Sequence, residues 1–372
     1  MSAVIHSLGF SVPSGRIAQK EAANFATRTS RLDEQEGRRI HALYRRTGID
    51  SRASVVIDPD SLNGESFQSF FPIATNEDNR GPSTQQRLHR FEQEAPPLAA
   101  AASTQAIERS GIEPKEFTHI IPVTCTGFFA PGVDIELINR LGLRAETERI
   151  QIGFMGCHAG INALRAAKGL IAEDSSRRVL ICCIELCSLH YQYGSDSNAI
   201  VSNALFADGA SALVMGDGVN TETNINKRIQ PILGDITKTA STLIPHTKQA
   251  MSWRIGNHGF QMTLSAEVPN LIETNLKPLI KHWLDDEGLE LGEVGSWAIH
   301  PGGTRILAAV QETLLLTDQQ MSYSYNVLQQ HGNMSSATLP FILQQLAEAE
   351  QPKPWVMLGF GPGIEVEFAL IK

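Results

Sequence analysis

Three polar residues stand where buried strands give way to helices, and together their types could make a reaction centre. Cys157 follows Gly156 and precedes AGINALRAAKGLI, a run with the apolar spacing of a helix. A cysteine at a helix N-terminus meets unpaired N–H groups and the positive end of the dipole, so the placement predicts a depressed thiol pKa. His300 closes an apolar strand and is followed by PGG, a turn that projects its imidazole. Asn333 follows Gly332 at the start of another helix, where its amide can cap the helix or aim a donor into a site. Thiol, imidazole and amide supply a nucleophile, a base or ion-pair partner, and an oxyanion donor. Thiol proteases use the same set, but no papain-type cysteine signature is present.

The elements that must position these residues repeat along the chain. Shifting the sequence by 176 residues superimposes three junctions. Val123–Gly127 falls on Ile299–Gly303, a buried strand running into a glycine-ended loop. Gly156–Gly160 falls on Gly332–Ser336, a glycine before a helix, and Val179–Cys187 falls on Trp355–Gly363, the strand that follows. Such an offset predicts duplicated βα units in a covered, mostly parallel sheet, with halves at 1–226 and 227–372. Within the first half, the spacing predicts a helix from Ser83 that Pro96-Pro97 stops, and a second that Gly111 closes. A strand over His119–Thr124, a helix over Asp134–Leu141 and a strand ERIQIGF follow, while 55–80 reads as irregular chain.

Composition narrows the class of function. A chain of 372 residues is long for one core, and 42% hydrophobic with 19% charged residues is globular. The net charge of −9 argues against nucleic acid as a partner, and no apolar run is long enough for a membrane span. The N-terminus has no signal-peptide pattern, and five cysteines do not form a secreted disulfide framework, so a cytoplasmic location is expected. Cys182, Cys183, Cys187 and His190 do not have a recurrent zinc spacing, and neighbours on a strand point to opposite faces, so no metal is expected. One stretch is basic: Arg28, Arg31, Arg38, Arg39, Arg45, Arg46 and Arg52 read as a solvated face or an anion site.

The segments GCHAGINALRAAKGL, HPGGTRIL, GNMSSATLPFIL and GFGPGIEVE, with LFADGASALVMG and WRIGNHGFQMTLSAEVPNLI, resemble the signatures of type III polyketide synthases, the chalcone and stilbene synthase family. The resemblance spans nearly the whole chain. It implies a thiolase fold, a duplicated five-layer αβαβα architecture, in a homodimer, with acyl-CoA and malonyl-CoA as substrates and no cofactor. By this resemblance Cys157 carries the acyl chain and His300 holds it as thiolate, while His300 and Asn333 stabilise the enolate left when malonyl-CoA loses CO2. Phe206 matches one gate residue between CoA tunnel and cavity, and Met262 replaces the phenylalanine of the other. Arg39, Arg46 and Arg305 fall at the CoA path, with Ala42 in place of a third basic residue.

The same alignment lines the cavity with Cys125, Cys187, His190, Ser202 and Trp253. Ala130 stands where a methionine crosses the dimer, before Pro131 in a bond the family often has cis. Glu185 and Ser335 retain two of three groups linked to aldol closure, with Cys125 in place of the threonine. The pattern suggests the bacterial branch making alkylpyrones or alkylresorcinols from aliphatic starters. The alternatives are a single-round β-ketoacyl synthase of the synthase III type, against which HPGG and GFGPG weigh, and a catalytically silent CoA- or lipid-binding homologue.

Overall fold

The computed structural model describes residues 2–59, 68–76, 79–218 and 233–372. The junction expected between 226 and 227 lies outside them. The first half begins with β1 (Ala3–Ser11), β2 (Arg16–Ala18), α1 (Gln19–Thr29), α2 (Glu34–Arg46), β3 (Ser51–Ala53) and α3 (Thr84–Ser110). Next come β4 (His119–Thr124), α4 (Val133–Leu141), β5 (Glu148–Arg149), β6 (Ile152–Gly153), α5 (Ala159–Glu173), β7 (Val179–Leu186), α6 (Ser197–Leu205) and β8 (Asp208–Asp217). The second half opens with β9 (Gly234–Leu243), β10 (Met251–Gly256), β11 (Gly259–Leu264), α7 (Val268–Asp285) and β12 (Ser296–Ile299). It ends with α8 (Thr304–Leu314), α9 (Asp318–His331), α10 (Thr338–Glu348), β13 (Trp355–Gly361) and β14 (Glu365–Ile371).

The pairing is mixed rather than mostly parallel, since each half closes on antiparallel strands, and it repeats the same motif twice. In one half β4 runs parallel to β7, β7 antiparallel to β8 and β8 antiparallel to β1. In the other β12 runs parallel to β13, β13 antiparallel to β14 and β14 antiparallel to β9. A short antiparallel contact, Val4 with Asp235 and Ile5 with Gly234, joins β1 to β9.

Side-chain alternation then builds the layers. Ile121, Val179, Ile181, Cys183, Met357 and Ala369 face a central core made by α5 and α10. Their neighbours Ile120, Leu180, Cys182 and Ile184 face outward against α3 and α4. On the other sheet Val356, Leu358, Val366 and Phe368 face α7 and α8. The order is therefore helix, sheet, helix, sheet, helix, and α5 is buried between two sheets. This accounts for its small and apolar composition and for its exposing no broad polar face.

Two local expectations give way. Pro96 and Pro97 do not stop a helix but lie inside α3, which runs from a Ser83 capping box with Gln86 to a left-handed Gly111. Burial of Phe91, Ala95, Ala99 and Ala102 against the sheet outweighs the backbone hydrogen bonds the prolines forfeit. The ERIQIGF strand splits into β5 and β6, both paired to β4.

Candidate active site

The three junctions found at the common offset bring their polar residues to one buried region. Cys157 lies two residues before α5, His300 directly after β12, and Asn333 between α9 and a short 3-10 turn leading into α10. All three are buried, with Asn333 and His300 exposed by only 2% and 1%. Three of the four polar groups of Asn333 are held by hydrogen bonds. Its N–H donates to the Leu205 carbonyl and its carbonyl accepts from Ala207, each at 2.9 Å. Its side-chain Oδ1 accepts from the Ser335 N–H at 2.8 Å, so the amide turns its NH2 outward as a donor.

The electrostatics of the trio differ from the expectation for a helix N-terminus. Burial pushes the Cys157 thiol up to about 11, against hydrogen bonding from Ser335 and Asn333 that lowers it. The dipole does not prevail because the thiol sits ahead of the helix, in a dry pocket shared with Glu185. Burial likewise pulls His300 down to about 3, helped by the charge of His158 and opposed by Asn333. Both ring nitrogens of His300 lack a partner in hydrogen-bond geometry, although the Asn333 amide lies near enough to act on them. A buried imidazole with two idle nitrogens is poised for a proton or a substrate oxygen. Burial thus favours the neutral thiol and the neutral imidazole.

Consecutive residues of segment 205–207, which is bonded to Asn333, line two different spaces. Leu205 lines a groove that also gathers Arg39, Ala42, Arg46, Gly303 and Arg305. Phe206 lines an inner cavity, with Cys187, His190, Ser202 and Trp253. Met262 and Ser202 line a third, polar recess beside Gln261 and Asn198. Of the basic stretch, Arg39 and Arg46 are in the groove, whereas Arg52 is buried and donates to the Asn203 and Phe206 carbonyls at 2.7 and 2.6 Å. Arg52 thus holds that segment, a role its place in a run of arginines hid.

The cavity wall is rigid. His190 Nε2 meets the Thr126 carbonyl at 2.6 Å, its Nδ1 accepts from the Phe260 N–H at 3.1 Å, and its ring stacks on Phe260. Trp253 donates from Nε1 to the Cys125 carbonyl at 2.7 Å and meets His190 edge-on.

The group around Glu185 has different members from those aligned. Glu185 accepts from Ser336 Oγ at 2.5 Å, Thr126 Oγ1 at 2.8 Å and the Cys125 N–H. Ser335 and the Cys125 thiol turn elsewhere, Ser335 toward Cys157 and Cys125 toward Gly156. No spacing rule in the sequence distinguishes Ser336 from Ser335. Burial raises Glu185 to about 7 against these donors. Ala130 precedes a cis proline and belongs to the loop that exposes Phe128, beside which Phe154 and Met155 are also exposed.

Residues 2–219 match the family described as chalcone and stilbene synthases, N-terminal domain, and residues 235–372 the corresponding C-terminal domain. Over 98% of the chain and 90% of the relative, it is 31% identical to the alpha-pyrone synthesis polyketide synthase-like Pks18 of Mycobacterium tuberculosis. It is 31% identical to 1,3,6,8-tetrahydroxynaphthalene synthase of Streptomyces peucetius over 74% of the chain and 72% of that protein. Among solved structures, PKS-I of the brown alga Ectocarpus siliculosus superimposes with a TM-score of 0.90 at 27% identity, covering 100% of this chain and 98% of that one. The C-terminal type III polyketide synthase domain of Steely1 from Dictyostelium gives 0.88 at 26%, covering 100% and 99%.

Proposed function

Because the chain belongs to the chalcone and stilbene synthase family, the type III polyketide synthases, we propose that Cys157, His300 and Asn333 are the reaction centre of an iterative condensing enzyme. The carrying observation is the orientation of Asn333, whose amide is pinned at its oxygen and turns its donor toward Cys157, with His300 close by. Cys157 attacks the acyl-CoA carbonyl, its proton passes through His300 to the departing CoA thiol, and an acyl thioester forms on sulfur. Malonyl-CoA then loses CO2, and the enolate oxygen takes hydrogen bonds from Asn333 and neutral His300. The enolate carbon attacks the Cys157 thioester, a carbon–carbon bond forms, and the sulfur leaves. The lengthened chain, now on CoA, returns to Cys157 until cyclisation releases a pyrone or resorcinol. Thioester cleavage and CO2 loss drive each turn, so the chemistry calls for no cofactor or metal.

Arg39, Arg46 and Arg305 would hold the CoA phosphates at the outer groove, with Phe206 bounding the passage inward, while Met262 faces a separate recess. The aliphatic starter would occupy the inner cavity, whose wall includes Ile17, Phe25, Ile57 and Phe71. There it would lie beside Cys187 and Trp253. The exposed Phe128, Phe154 and Met155 are suited to cover by a second copy, giving the homodimer. No described helix is long and apolar enough to cross a membrane, and a cytoplasmic location fits the CoA substrates. Incubation with a panel of acyl-CoAs and malonyl-CoA tests the whole reading by product mass. Several ketide units support it; one unit would indicate a synthase III-like enzyme, and no CO2 release a silent CoA binder.

A further inference from the structure

Behind the inner cavity a cation is buried that none of the chemistry above uses. Arg87, in the first turn of α3, is fully buried, yet it does not line the cavity itself. Its guanidinium donates to four main-chain carbonyls. Nε reaches Pro82 at 2.8 Å, Nη1 reaches Leu189 at 2.9 Å and Tyr191 at 2.6 Å, and Nη2 reaches Arg80 at 3.3 Å. Taking a guanidinium out of water is costly, and only a set of well-aimed acceptors offsets it. The arrangement is that of a joint between chain segments.

The segments it joins carry the cavity wall. Phe71 lies under the guanidinium, with its ring centroid 5.1 Å away. The Leu189 and Tyr191 carbonyls flank His190, so gripping both fixes the backbone that bears the His190 ring. Gly259, where the β10–β11 hairpin turns, packs so closely that a Cβ there would stand 2.8 Å from Arg87 Nη1. The same hairpin turn is fastened to the start of α3: the Gly259 N–H donates to Thr84 Oγ1 and the Thr84 N–H to the Asn257 carbonyl, each at 2.9 Å. Gln192 Nε2 donates to the His190 carbonyl at 2.8 Å and the His258 carbonyl at 3.1 Å, which ties the hairpin to the 189–192 segment as well. Phe71, His190, Tyr191 and Trp253 of the hairpin all line the cavity. A planar fork of five N–H groups can span acceptors on several segments at once, whereas a lysine offers its donors from a single nitrogen.

We propose that Arg87 is a positioning residue for starter selection: by holding Phe71, the backbone around His190 and the β10–β11 hairpin to one guanidinium, it sets the width of the inner cavity and so which acyl chains the enzyme takes. The inference rests on the reading above that the starter lies in that cavity. Arg87 stands outside the groove that gathers Arg39, Arg46 and Arg305, so handling of malonyl-CoA does not depend on it.

The test compares wild type with Arg87→Lys, which keeps the charge and loses the fork, on straight-chain acyl-CoAs from butyryl to palmitoyl. The readouts are kcat/KM for each starter and the decarboxylation of malonyl-CoA alone. The variant is expected to change the kcat/KM ratio between the best and poorest starters by about tenfold. Decarboxylation should stay within about twofold of wild type. A selective wild type with the same ratio in the variant, or an even loss across all starters and decarboxylation together, would reduce Arg87 to packing and overturn the proposal. Should the variant not fold, nitrogen NMR of arginine-labelled wild type decides: loading Cys157 with a long starter shifts the Arg87 guanidinium signals more than loading a short one, and signals indifferent to chain length overturn the proposal. A wild type that takes every chain length equally would contradict the starter's place in the cavity, and the proposal would fall with that reading.

Discussion

At the scale of single residues, chemistry and burial pull in opposite directions. Cys157, His300 and Asn333 were legible because each residue type stands at a strand–helix junction, and the offset of 176 made those junctions equivalent. Their protonation was not legible, because desolvation depends on a pocket closed by distant segments. The pinned amide of Asn333 leads to a first prediction: Asn333→Ala slows malonyl-CoA decarboxylation by about 10²–10³, while acyl loading of Cys157 survives. Release of labelled CO2 and intact-protein mass measure the two separately. Glu185 gives a second. Burial raises its carboxyl from 4.5 to about 7, so the unfolded chain releases its proton first. The stability this group contributes is full below pH 4.5 and is lost as pH rises toward 7. Chemical denaturation of Glu185→Gln across that window should show a flatter profile than wild type.

At the scale of elements, periodicity located most strands and helices, and the exceptions share one cause. The proline pair in α3 and the divided strand β5–β6 are settled by packing against the sheet, which local sequence does not encode. Close approach of α5 to β13 is likewise tertiary. Gly361→Ala would drive a methyl into His158 and destabilise the fold by about 1–3 kcal/mol, and denaturant midpoints check this. The cavity wall carries the next prediction. Trp253 of β10 lines the inner cavity and is held by the Cys125 carbonyl, so on the proposed reading it would set the space left for a growing chain. Trp253→Gly should lengthen the product by one or more two-carbon units with the reaction centre intact, and an unchanged product mass would place the length-setting wall elsewhere. His190, paired on both ring nitrogens, buttresses that wall rather than contacting substrate as a donor.

At the scale of the whole molecule, duplication explains why one reaction centre needs both halves. Asn333 from the second half acts on Cys157 from the first and on His300 from its own half, so the proposed centre draws on both. The repeat was legible in the sequence as an offset without identity; the five layers followed only once side-chain alternation showed which faces meet. Leu205 lines the groove with Arg39, Arg46 and Arg305 and Phe206 lines the apolar cavity, which on the proposed reading would give the substrate's charged and aliphatic ends separate sites. The central claim is that the chain grows on Cys157 by repeated condensation. Intact-protein mass spectrometry after rapid quenching, with an aliphatic acyl-CoA and malonyl-CoA, tests it most directly. The account predicts a ladder on Cys157, the starter acyl group and then the starter plus successive two-carbon ketide units, absent from Cys157→Ala, which still releases CO2. Polyketide formation by Cys157→Ala, or a wild-type enzyme whose Cys157 never carries more than the starter while extended products accumulate, would contradict it.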